Sequence, residues 1–177
     1  MTAAPGRALV RLDHAVLRST RRLLGGTTAV PVAQGMSHFG EHALGWIALG
    51  SAGWLSGRRR REWAGGVAGV VAAHAVSIGV KRVVRRQRPI DESVEVLVKT
   101  PSSLSFPSSH ATSTTAAAVV YSGLTGRNLV PVLVPPMLVS RLVLGVHYPS
   151  DVLVGSALGA AVGGLVRRRL RNRKSKR

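Results

Sequence analysis

Apolar residues gather in five stretches separated by short polar or basic breaks: residues 37–55, 62–84, 108–124, 129–146 and 150–166. A helix needs roughly 17 to 25 residues to cross the hydrocarbon core of a bilayer, so the pattern predicts about five transmembrane helices. The first stretch carries His38, Glu41 and His42 near its start and is closed by Gly57 and the run Arg58, Arg59, Arg60 and Arg61. The second is built of Ala, Gly and Val around His74 and turns basic at Lys81, with Pro89 ending any helix. Upstream, residues 7–24 interleave Leu9, Val10, Leu12, Val16, Leu17, Leu23 and Leu24 with five arginines. That alternation predicts an amphipathic helix lying in the membrane interface, and the charges leave no uninterrupted apolar core for a secretory signal. Residues 90–106, with Asp91, Glu92, Glu95 and Lys99, form the main extramembrane loop.

Composition sharpens this picture. The chain has 177 residues, 25 Lys plus Arg, 7 Asp plus Glu and no Cys, with 45% hydrophobic residues. A net charge of +18 on so apolar a chain excludes a disordered basic protein and fits a polytopic membrane protein with basic edges. Without Cys there is no disulfide, thiolate nucleophile or Cys-ligated metal site. The fold class is therefore all-α, a helical membrane bundle. It divides into a basic amphipathic segment (1–30), a membrane domain (31–166) and a basic tail (167–177). Positive charges divide 13 to 12 between the two membrane faces. Setting aside Lys81, Arg88 and Arg141 as site residues makes it 13 to 9. That bias predicts a cytoplasmic tail and an outward-facing loop, as in a bacterial-type plasma membrane.

Most of the unusual polar residues fall at one membrane face. Lys81 and Arg88 end the second stretch, Ser108, Ser109 and His110 start the third, Arg141 and His147 end the fourth, and Asp151 starts the fifth. Ionisable groups at membrane helix ends mark functional sites. Lys81 and Arg88, seven apart, would share a helix face, and with Arg141 could surround a phosphate. The Pro107-Ser108-Ser109-His110 segment introduces a helix whose free N–H groups add anion donors. His110 and His147 then supply a nucleophile and a general acid. Asp151, four residues after His147, suits the carboxylate that fixes an imidazole tautomer. Such a cation set stabilises phosphoryl transfer without requiring a metal.

These three segments, Lys81 to Arg88-Pro89, Pro107 to His110, and Ser140-Arg141 to His147 and Asp151, resemble the three signature motifs of the type 2 phosphatidic acid phosphatase superfamily. That group includes membrane lipid phosphate phosphatases and soluble vanadium-dependent haloperoxidases. The resemblance spans residues 62–166. It implies a helical enzyme with no metal or other cofactor, His147 as nucleophile, Asp151 as its orienting partner, and His110 as general acid. Lys81, Arg88, Ser108, Ser109 and Arg141 would bind phosphate. Ser109 stands where the family usually has Gly, and keeps the backbone N–H, so activity is expected to survive. Integral members commonly have six spans, and here the amphipathic segment would replace the first.

Other features have plainer readings. Arg82, Arg85 and Arg86 hold no motif position and read as lipid-surface contacts. His38, Glu41 and His42 spell a pattern shared with a zinc peptidase group, but with no further ligand in context they read as packing or as the lining of a lipid-phosphate entrance. His74 reads as a buried, hydrogen-bonded helix residue. Gly155, Gly159 and Gly163 mark a helix-packing face, and the tail is a membrane anchor rather than a nucleic-acid arm. The expected activity is hydrolysis of a lipid phosphomonoester or diphosphate through a phosphohistidine. Candidate substrates are phosphatidic acid, phosphatidylglycerol phosphate, a prenyl diphosphate or a polyprenyl-phosphate sugar phosphate. The rival from another class is a non-catalytic anionic-lipid-binding protein recruiting partners through its tail. A vanadate-dependent halide oxidase shares the pocket but not the spans.

Overall fold

In the computed structural model, which describes residues 5–89 and 96–175, the chain forms seven α-helices and no strand among the described residues. They are α1 (Pro5–Leu24), α2 (Ala29–Gly40), α3 (Leu44–Leu55), α4 (Arg60–Val84), α5 (Ser109–Thr125), α6 (Val130–Val143) and α7 (Pro149–Ser175). Of the expected outer loop, residues 90–95 with Asp91, Glu92 and Glu95 lie outside the described residues, as do positions 1–4 and 176–177.

At the centre stands α5, buried along most of its length although rich in Ser, Thr and Ala. Its hydroxyls survive burial because they find acceptors: Thr112 and Ser113 donate to the carbonyls of Ser108 and Ser109, each at 2.9 Å, and Thr115 pairs with Ser156 at 2.9 Å. Ser108 caps the helix, its Oγ accepting from Ala111 N, and Gly126 at φ +75° ends it in the left-handed conformation that glycine adopts freely. Small side chains let α7 approach closely. A Cβ at Gly155 would stand 2.6 Å from Ser108 O, one at Gly163 3.0 Å from Ala116 O, and one at Gly159 would collide with Thr112 O. The glycine ladder is thus a packing face, as its spacing predicts.

Among the described residues two helices are long and apolar enough to cross a membrane, α4 and residues Pro149–Asn172 of α7. Only 28% of each apolar window is buried. Val71, Val76, Leu153, Val154 and Leu165 are instead exposed, an outward apolar surface suited to lipid rather than to a soluble core. Helix α6 is a shorter apolar helix.

Two expectations need correction. The stretch 37–55 is not one helix: α2 and α3, 12 residues each, meet at a 3-10 turn, Glu41–Ala43, where His42 (φ 49°) and Ala43 (φ 61°) are left-handed. Nor do Lys81 and Arg88 share a helix face. Helix α4 stops at Val84 because Arg85 turns left-handed (φ 55°), well before Pro89. The chain then runs extended beside residues 103–105, with Ser105 N donating to Arg86 O at 2.7 Å and Arg88 N to Ser103 O at 3.0 Å.

Gly159→Ala is expected to lower the thermal midpoint of the detergent-purified protein, at a cost of about 1–3 kcal/mol for overpacking. Gly164→Ala, whose Cβ meets nothing within 4 Å, serves as the control and leaves the midpoint unchanged or higher. An unchanged midpoint in Gly159→Ala, read by circular dichroism, contradicts the close α5–α7 contact.

Candidate active site

The ends of α2, α4, α5 and α6 and the turn before α7 converge on one cavity of about 670 Å³. Six of the eight sequence-predicted site residues line it: Lys81, Arg88, Ser109, His110, Arg141 and His147. The other two stand behind the wall. Asp151 is fully buried beneath His147. Ser108 is also fully buried, its Oγ committed to capping α5 and its N–H donating to Asp151 O at 3.0 Å. The structure thus brings Ser109, not Ser108, to the cavity surface.

Each cation is held by backbone or hydroxyl acceptors rather than by carboxylates. Lys81 Nζ donates to Leu104 O at 2.9 Å. Arg88 donates to Ser102 O at 2.8 Å and to Val146 O at 2.7 Å. Arg141 donates through Nη1 to Ser37 Oγ at 3.1 Å, while its buried Nη2 has no hydrogen-bond partner among the described residues. Three positive charges thus point into one space, and among the described residues that line it Glu41 is the one carboxylate. Burial lowers the Arg88 pKa to about 10, against a pull from Asp151 in the other direction, so it stays cationic at neutral pH.

The geometry settles the tautomer of His147. Arg88 Nη1, which can only donate, lies 3.3 Å from His147 Nε2, so that nitrogen carries the lone pair. The proton is then on Nδ1, which faces Asp151 Oδ2 at 3.6 Å. Burial, then the charges of Arg88, Lys81 and Arg141, hold the His147 pKa well below 6.5. The result is a neutral imidazole with its lone pair turned toward the cations that would hold a phosphate. Across the cavity His110 Nε2 lies 3.0 Å from Ser37 O, a pure acceptor, which assigns a proton to Nε2 and leaves Nδ1 for exchange. Gly40 makes room for this ring, since a Cβ there would stand 2.7 Å from His110 Cδ2.

Asp151 is supported on both oxygens. Oδ2 accepts from Tyr148 N at 2.8 Å and Oδ1 from Arg86 Nη1 at 3.0 Å. Arg86 also pairs with Asp13 at 2.8 Å and lies over the Tyr148 ring at 4.1 Å. The lipid-contact reading of Arg86 is therefore corrected: its charge is spent inside the protein. His74 is corrected too, being half-buried in the cavity wall with its Nδ1 unpartnered among the described residues. His38, Glu41 and His42 line the same cavity, and no cluster of three metal-ligating side chains occurs among the described residues.

Three contributors escaped the sequence reading. Ser37 touches both His110 and Arg141, yet looks like any serine at the head of an apolar stretch. Arg86 is hidden among neighbouring cations. Asp13 did carry a signal, being the only acidic residue among the first forty positions.

Comparison with known proteins finds relatives of this chain. The chain is 58% identical over 135 residues, 76% of each chain, to a decaprenylphosphoryl-5-phosphoribose phosphatase of Mycobacterium tuberculosis (strain CDC 1551 / Oshkosh). It is 52% identical over 147 residues, 82% of each chain, to the protein of that name from Mycolicibacterium smegmatis. A transmembrane PAP2 type phosphatidylglycerolphosphate phosphatase from Bacillus subtilis shares the fold, with a TM-score of 0.74 at 23% identity over 90% of this chain and 85% of its own. The PAP2 superfamily model matches residues 63–175, from α4 through α7 and so across all three motifs. This chain belongs to the PAP2 superfamily.

Proposed function

We propose that this protein is a membrane lipid phosphatase that removes the terminal phosphate of a polyprenylphosphoryl sugar phosphate, of the decaprenylphosphoryl-5-phosphoribose type named for its relatives. One observation carries the chemistry: the unprotonated Nε2 of a buried neutral His147, 3.3 Å from a phosphate-seeking guanidinium. The terminal phosphate would sit among Lys81, Arg88 and Arg141, completing the free donors of Arg141 Nη2. Ser109, in the same wall, adds a polar contact.

In the first step His147 Nε2 forms a bond to phosphorus as the bond from phosphorus to the sugar oxygen breaks. The phosphate monoanion gives its proton to His110 Nδ1 on binding, and the imidazolium so formed hands that proton to the departing alkoxide, an effect worth about 10² to 10⁴ in rate. Asp151 stabilises the positive charge that appears on the imidazole ring. In the second step water attacks the phosphohistidine, His110 Nδ1 takes its proton, and inorganic phosphate leaves with Nε2 unprotonated again. The three cations meet the charge on the equatorial oxygens in both steps. This supplies the electrostatic work that a metal ion performs in other phosphatases.

The cavity is far larger than a phosphate and carries polar groups beyond the cations, Gln34, His38, Glu41 and His42, beside the apolar Ile78, Leu97 and Val98. A hydroxylated sugar with a prenyl tail matches that mixture better than a bare phosphate on a diacylglycerol. In the membrane arrangement proposed, helices α4 to α7 and the α2–α3 pair make about five crossings, α1 lies along the interface, and the tail is cytoplasmic. The cavity then opens at the outer face of the plasma membrane, where a lipid-linked substrate keeps its chain in the bilayer.

Phosphate release from polyprenylphosphoryl-5-phosphoribose in detergent, with chelator present, is expected to fall at least about a thousandfold in His147→Ala. Retained release sinks the phosphohistidine mechanism. No release by the parent from this lipid, prenyl diphosphates or phosphatidic acid would favour the lipid-binding alternative. A second expectation concerns pH. Because burial and cations depress the His147 pKa, its neutral form persists as pH falls through 6.5 and is lost only lower down. The acid limb of kcat/KM is therefore expected below pH 6.5 once substrate ionisation is divided out, and a limb at or above 6.5 contradicts the buried neutral nucleophile.

A further inference from the structure

Helix α1 lies outside the matched family region, yet its inner face is devoted to the active-site loop. Asp13, His14, Leu17 and Arg21 fall on one side of the helix. Leu17 is fully buried against Leu142, Tyr148 and Val152. Arg21 Nη1 donates to Val143 O at 2.9 Å, at the end of α6. The His14 and Tyr148 rings meet edge to face, with centroids 5.1 Å apart. These contacts bracket residues 143–152, the segment that carries His147 and Asp151.

Asp13 makes the strongest of these attachments. It is 1% exposed. Its Oδ1 accepts from Ser150 N at 2.9 Å and its Oδ2 from Ser150 Oγ at 2.6 Å. It therefore caps the first turn of α7 from another helix, where the free N–H groups and the helix dipole favour an anion. The same Oδ2 pairs with Arg86 Nη2 at 2.8 Å, and Arg86 Nη1 reaches Asp151 Oδ1 at 3.0 Å. One guanidinium thus joins two buried carboxylates, one on α1 and one beneath His147. We infer that Asp13 and Arg86 are positioning residues for catalysis, α1 holding the carboxylate of Asp151 in line with His147 through the Asp13–Arg86–Asp151 bridge.

The physical sense is electrostatic and geometric together. A buried carboxylate needs a compensating cation, and the three cavity cations must stay free for phosphate. Arg86 supplies that charge from the far side, so Asp151 keeps Oδ2 facing His147 Nδ1 at 3.6 Å without drawing Arg88 or Lys81 away from substrate. Arg86 also cannot drift. Its backbone carbonyl accepts from Ser105 N at 2.7 Å and its side chain is stacked on Tyr148 at 4.1 Å.

The inference rests on His147 being the nucleophile, and its test separates the two. With full-length protein in detergent, kcat and KM for phosphate release from polyprenylphosphoryl-5-phosphoribose are measured for the parent, Arg86→Met, Arg86→Lys, Asp13→Asn and His147→Ala. Arg11→Met, an exposed cation of α1, controls for loss of charge. Arg86→Met is expected to lower kcat about ten- to hundredfold with KM changed less than about threefold, as misplacement of a catalytic group does. Arg86→Lys should recover part of kcat, Asp13→Asn should lower kcat in the same direction by less, and Arg11→Met should stay within about twofold of the parent. An unchanged kcat in Arg86→Met overturns the proposal, as does a loss confined to KM, which would make Arg86 a substrate ligand. Should Arg86→Met fail to fold, Asp13→Asn decides, and an unchanged kcat there removes α1 from the mechanism. Retained activity in His147→Ala would instead overturn the underlying phosphohistidine reading.

Discussion

A buried negative charge, the carboxylate of Asp151, is the constraint to which the rest of the site answers. With no exposed surface, it is tolerable only because Tyr148 N and Arg86 satisfy it. Breaking a buried pair by removing one partner typically costs about 3–5 kcal/mol, so these attachments hold the backbone as well as the charge. From it follows the placement of the Tyr148 turn, while Arg88 sets the direction of the His147 lone pair. Even the start of α5 depends on it, since Ser108 N is tied to Asp151 O at 3.0 Å.

The scaffold that holds this carboxylate achieves precision by close approach rather than by bulk. Helices α5 and α7 meet through Gly155, Gly159 and Gly163 against the backbone of Ser108, Thr112 and Ala116. Between surfaces in lipid, little hydrophobic gain comes from association, and small residues gain contact by letting backbones draw near. The same contact sets the α5 N-terminus beside the α7 N-terminus, so His110 and Asp151 are placed by one interface. Outside it, Val71 and Val76 of α4 and Leu153, Val154 and Leu165 of α7 face outward, leaving polar chemistry to the cavity and the membrane to the exterior.

Departures from regular helix fall where the cavity needs them. The turn at Glu41–Ala43 and the left-handed Arg85 are backbone conformations that side-chain-bearing residues adopt at a cost. The first bends the chain so that Ser37 and Gly40 face His110 while His42 lines the wall. The second releases Arg88 from α4 and lets Arg86 turn back toward Asp151. Both correct a reading of these stretches as continuous helix, and both follow from packing against elements distant in the chain.

The amino-acid sequence by itself determined the helical class, the close-packed glycine face and the residue types, Lys81, Ser109, His110, Arg141 and His147, that gather at one cavity. Those are properties of residue types at local spacings: apolar length, small residues four apart, cations and imidazoles gathered at helix ends. Tertiary structure alone decided what those groups touch. Asp13 and Arg86 are 73 positions apart, and Ser37 and Arg141 are 104 apart. No local pattern distinguishes an arginine that meets lipid from one that meets a buried carboxylate, because its partner is chosen by which helix surfaces pack together. The same holds for Ser108, whose motif position suggested phosphate but whose hydroxyl is used to start a helix. Residue chemistry could be read one position at a time; direction, burial and partner could be read only once the chain had closed on itself.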